Sequence, residues 1–179
     1  MNYRAIIDFW FAEIEPESWF RKDDEFDRML RERFDAFHRQ AILCELFQWR
    51  QNPQGRLAEI IVLDQFSRNL YRGQPEAFAA DTLALALAQE AIDQGVDRRF
   101  DINQKLFLYL PYMHSESLII HDIAVELFSQ PGMESHLEYE RRHRAIIERF
   151  GRYPHRNAAL GRESTDEEIE FLKGPNSSF

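Results

Sequence analysis

A single cysteine, Cys44, stands in 179 residues. No internal disulfide can form and no Cys-based zinc site can be built, which fits a reducing compartment and a cytoplasmic location. The chain has no glycine-rich phosphate loop and no Gly-x-Ser-x-Gly elbow, and Cys44 falls in a helical pattern without an adjacent base. Nucleotide chemistry and a Ser or Cys nucleophile therefore lose their usual supports, and no cofactor is implied. Seven Gly and seven Pro are scattered along the chain, too few for a linker or low-complexity segment. No run approaches the roughly 20 apolar residues of a membrane span. The apolar N-terminal stretch lacks a basic flank and is broken by Asp8 and Glu13, so a signal peptide is not expected. Cations are also scarce: 22 Lys and Arg face 31 Asp and Glu, a net charge of −9. Such an acidic body repels nucleic acid and anionic membrane, and neither is expected as a partner.

What is present is hydrophobic and helical. An apolar fraction of 44% with 15 Phe suits one packed domain over residues 1–179. Apolar residues recur at steps of three and four, as in Phe26, Leu30, Phe34, Phe37 and Ala41. Asp23 or Asp24 opens that helix, and Asn52-Pro53-Gln54-Gly55 breaks it. Leu57–Leu70 forms the next helix, and Gly95 and Gly151 read as stops for two later ones. Pro111 either separates two helices or kinks one. Thr165 to Glu168 spells a capping box. No segment alternates as a strand does. The pattern predicts an all-α fold, an array of antiparallel helical hairpins.

Three groups of residues carry chemical interest. Asp64 falls on the apolar stripe of Leu57, Ile60 and Ile61, so it needs a cationic or hydrogen-bonding partner. With Gln65, Arg68 and Asn69 it forms either one wall of a polar pocket or an ordinary basic helix end. His143 shares a predicted inward face with Tyr139, Ile146, Ile147 and Phe150, as a core histidine or as a general base oriented by Asp64. From Arg141 to Arg162, seven arginines and two histidines meet one acid, Glu148. There Pro154 keeps Arg152, His155, Arg156 and Asn157 on a turn. Guanidinium forks suit internal carboxylates and ligand anions equally. His114, Glu116, His121 and Asp122 lack metal-motif spacing, so no metal site is assigned.

Five motifs occur in order: Ile7-Asp8-Phe9-Trp10-Phe11, Leu63 to Asn69 (LDQFSRN), Leu108 to Glu116 (LYLPYMHSE), Arg149 to Asn157 (RFGRYPHRN) and Leu160 to Thr165 (LGREST). Together they resemble the bacterial family called domain of unknown function 924, over essentially the whole chain. The resemblance implies a tetratricopeptide-like helical fold and brings no established activity, cofactor or catalytic residue. Where this chain has His121, that family more commonly shows glutamine.

Three functions arise as expectations. The first is binding of an anionic small molecule or acidic peptide by Asp64, Gln65, Arg68, Asn69, Arg152, His155, Arg156 and Asn157. The second is a purely structural ion-pair network in an interaction scaffold. The third is a hydrolase-type enzyme with His143 or His155 as base, held by Asp64. Exposed aromatics near Trp19 or Trp49 suggest pairing with a second copy.

Overall fold

Side chains that serve the first amides of each helix decide where several helices begin. In the computed structural model, which describes residues 2–175, 177 and 178, Asp23 accepts from the N–H groups of Glu25 and Phe26. It thereby starts the helix Asp24–Ile42. Asn52 caps the next helix, Pro53–Ile61, by accepting from Gln54 N–H, with Pro53 at its first position. The Asn52 to Gly55 segment is thus a helix start as well as a break. Thr165 and Glu168 exchange both bonds of a capping box to open Asp166–Leu172. Gly95 and Gly151 both take left-handed φ of +68° after the helices Asp81–Asp93 and Glu134–Phe150.

In chain order the α-helices are α1 Arg4–Asp8, α2 Asp24–Ile42, α3 Pro53–Ile61, α4 Ser67–Leu70, α5 Asp81–Asp93, α6 Ile102–Met113, α7 Leu118–Phe128, α8 Glu134–Phe150 and α9 Asp166–Leu172. Among the described residues no strand occurs, and the fold is all-α. Pro111 lies inside α6 without ending it. Two π turns, Phe9–Glu13 and Val62–Phe66, continue α1 and join α3 to α4. The predicted Leu57–Leu70 helix is therefore three segments with a one-residue widening at its centre. Among the described residues no helix is long and apolar enough to cross a membrane.

Two compact units divide the chain: Met1–Arg72 with Glu76–Leu108, and Gly73–Pro75 with Tyr109–Phe179. The first is built on aromatic contacts. Phe9 lies 4.8 Å from Phe34, Trp10 5.5 Å from Phe66, and Trp19 4.9 Å from Phe107 between ring centroids. Trp19 and Trp49 are both buried, and it is their neighbours Phe20 and Phe47 that are exposed. In the second unit α7 packs on α8, and Phe150 and Phe171 cover Ile146, Ile147 and Tyr153.

Gly55 shows how tightly α3 approaches the turn before it. A Cβ there would stand 2.2 Å from the Trp49 carbonyl oxygen, which is backbone and cannot rotate away. Gly55→Ala is therefore expected to lower stability by about 1–3 kcal/mol, the usual cost of overpacking. Urea unfolding checks this, and an unchanged midpoint would contradict the packing described.

Candidate functional site

Asp64 sits in the π turn Val62–Phe66. Where N–H donors are displaced by one residue, side chains serve the carbonyls. Ser67 Oγ donates to Leu63 O at 2.6 Å, and Arg68 Nη1 donates to Asp64 O at 2.8 Å. The Asp64 carboxylate is buried. It accepts from Gln65 Nε2 at 2.5 Å and faces Arg68 Nη1 at 3.1 Å. Arg68 also forks onto Asp81 at 2.9 and 3.0 Å, so two carboxylates share one guanidinium. Asn69 points elsewhere. Its Nδ2 donates to Asp27 at 2.7 Å, and Arg72 clamps the same carboxylate. Asp64, Gln65 and Arg68 thus form one cluster with Asp81, while Asn69 belongs to another on α2. Nearby, Ser67 is no nucleophile: its buried hydroxyl donates to Leu63 O and accepts from His38 Nε2 at 2.8 Å.

The arginine-rich turn lies in the second unit. Gly151 ends α8, and Pro154–Arg156 forms a single 3₁₀ turn. Arg152 donates through Nε and Nη2 to the two oxygens of Glu168 at 2.7 and 2.8 Å. Arg162 donates through Nη1 and Nη2 to the two oxygens of Glu116 at 2.7 and 2.9 Å. The Tyr153 N–H adds a bond to Glu116 at 2.7 Å. Asn157 ties the two pairs together, accepting from Arg162 Nε at 2.9 Å and donating to Glu168 at 3.4 Å. Arg156 is buried, donates to His114 O at 2.9 Å, and lies 4.6 Å over the Tyr153 ring.

These bonds set the electrostatics. The Arg152 fork outweighs burial, and with the Thr165 N–H it holds the Glu168 carboxyl down at about 2. Burial works against ionisation of Glu116. The Arg162 fork, the Tyr153 N–H and the charges of Arg162 and Arg156 overcome it and keep that carboxyl below its usual range.

Three histidine rings surround Tyr153, with centroids at 6.3 Å for His121, 5.8 Å for His143 and 5.5 Å for His155. His143 donates from Nδ1 to Tyr139 O at 2.8 Å. Burial pushes its pKa down to about 3, and the charges of His114, His121 and His155 add to the effect, so it is neutral at neutral pH. Glu140 and His121 are fully buried and meet at 2.6 Å through Oε1 and Nδ1. Burial raises the Glu140 carboxyl, and His121 offsets part of that rise. Because Glu116 serves Arg162, His121 serves Glu140 and Asp122 pairs with Arg144, these residues do not converge. Among the described residues no group of three or more His, Cys, Asp or Glu is placed to hold a metal ion.

Residues 6–176 match the model of the family described as "Bacterial protein of unknown function (DUF924)". The chain belongs to this family. A solved structure, that of a protein of unknown function from Agrobacterium tumefaciens, is 39% identical and covers 96% of this chain and 97% of that one, with a TM-score of 0.91. No curated protein matches the sequence.

In this DUF924 chain the acids that organise the polar cluster are Glu116, Glu140 and Glu168. Sequence reasoning assigns Glu116 to a metal question, Glu168 to a cap alone, and nothing to Glu140. A signal for Glu140 exists, since it precedes His143 by three residues and Ile147 by seven. That places it on the buried stripe of α8. Tyr139, expected on that stripe, is exposed instead.

Proposed function

We propose that this protein is a helical interaction scaffold and that its arginine-rich turn is a structural latch holding the C-terminal segment. One observation carries the reading: Arg152 and Arg162 are each closed by both oxygens of a carboxylate from their own chain. An anionic small molecule or acidic peptide at this turn would have to displace Glu168 or Glu116, each already held by a fork. The hydrolase reading has less support. His143 is buried, and that burial pushes its pKa down to about 3, which makes it a weak base at neutral pH.

The latch is tested by hydrogen exchange on Arg162→Ala. Amides from 153 to 168 are expected to lose protection together, while those of α3 and α5 keep theirs. Unchanged protection between 153 and 168 would remove the latch.

A further inference from the structure

The first unit has a second concentration of arginines, far in sequence from the latch. Arg50, Arg56 and Arg99, with Gln51 and Gln94, line a cleft of about 290 Å³. Two of the three guanidiniums are already fixed. Arg50 uses Nε and Nη2 to grip both oxygens of the buried Glu59, each at 2.7 Å. Arg56 uses Nη1 for Glu90 at 2.8 Å and Nη2 for Gln94 at 3.1 Å. Arg50 is also bonded to the Cys44 side chain, and Arg56 Nε takes no part in these bonds. Arg99 ends the 3₁₀ turn Val96–Arg99, is exposed, and has no hydrogen bond or ion pair among the described residues.

We propose that this arginine-lined cleft binds a small multivalent oxyanion, a carboxylate- or phosphate-bearing molecule. Three guanidiniums stand against two carboxylates there, a local surplus of positive charge in a chain of net −9. Arginine forks match planar or tetrahedral oxyanions, and the Gln51 amide adds a donor, while Gln94 is engaged by Arg56 and Glu90. Because Glu59 and Glu90 hold Arg50 and Arg56 in place, binding orders only the exposed side chains of Arg99 and Gln51, which lowers the entropic cost of association. The volume lies near the lower end of small-molecule sites, which suits a compact polyanion better than a peptide or nucleic acid. In the latch the cations are closed by internal acids. Here one is left for a ligand, so this site neither needs nor rests on the latch.

The test titrates citrate and, separately, inorganic pyrophosphate against the whole protein at constant ionic strength, by calorimetry and thermal shift. Saturable binding of at least one probe is expected, with Arg99→Ala weakening it about tenfold, the loss of one charge-assisted hydrogen bond. Arg149→Ala, an exposed arginine of the other unit, should leave the dissociation constant unchanged. Which probe saturates distinguishes the carboxylate from the phosphate source. Three outcomes would overturn the proposal: saturation by neither probe, equal affinity in Arg99→Ala, or equal weakening in Arg149→Ala.

Discussion

Glu168→Ala is expected to melt about 5–10 °C below the wild-type protein. The side chain accepts three kinds of bond at once: the Arg152 fork, the Thr165 N–H of the capping box, and Asn157 Nδ2. Losing half of the capping box costs about 0.5–2 kcal/mol and losing the charge-assisted fork about 1.5–3 kcal/mol, and each kcal/mol moves the midpoint of a chain this size by about 2–4 °C. The same residue gives the protein an acid-sensitive step. Its folded pKa of about 2 lies below the ordinary 4.5. The stabilisation is therefore complete above pH 4.5 and is lost as pH falls towards 2. His143 acts over a different window: its pKa falls from 6.5 to about 3 on folding, so its penalty begins as pH drops below 6.5 and grows towards 3. Glu168→Gln should thus flatten the melting curve below pH 4.5 and leave its slope between 6.5 and 4.5 intact. A variant with the wild-type slope below pH 4.5 would show that Arg152 does not stabilise the ionised carboxyl.

The parts of this architecture that sequence makes visible are those settled by near neighbours. Asp23, Thr165, Gly95 and Gly151 mark helix ends because the amides and carbonyls they serve lie within a turn or so of chain. The two π turns are invisible for the opposite reason. One added residue leaves the apolar steps around Phe9 and Leu63 almost unchanged, while it rotates the residues beyond it about the helix axis. Arg162 finds Glu116 across 46 residues and Arg152 finds Glu168 across 16. The composition shows that seven arginines need acids, and that the chain has acids to spare, but the pairing is a tertiary fact. The candidate set around Asp64 fails as a unit on a similar point: Arg68 and Asn69 are adjacent in the chain, yet a helix turns adjacent side chains about 100° apart. One reaches Asp81 and the other Asp27.

Glu140→Leu is expected to cost about 3–5 kcal/mol, whereas Glu140→Gln should cost less than about 1 kcal/mol. The contrast comes from counting protons. His121 Nε2 faces the Ser115 carbonyl at 2.9 Å, which only accepts, so that nitrogen carries a hydrogen. Nδ1 faces Glu140 Oε1 at 2.6 Å. One proton lies between them, whether written as carboxylate and imidazolium or as carboxylic acid and imidazole, and the pair is neutral in sum. Burial raises the Glu140 carboxyl, and among the described residues no partner meets its Oε2, which favours a protonated carboxyl donating to Nδ1. A glutamine amide N–H can replace that acid proton and donate to the Nδ1 lone pair. Leucine cannot, and it leaves a nitrogen of a fully buried ring without a partner. Nitrogen NMR of the ring checks the protonation state directly, since Glu140→Gln should keep His121 as the neutral Nε2–H tautomer. If Glu140→Gln destabilises as much as Glu140→Leu, the pair is instead a buried ion pair that needs the carboxylate charge.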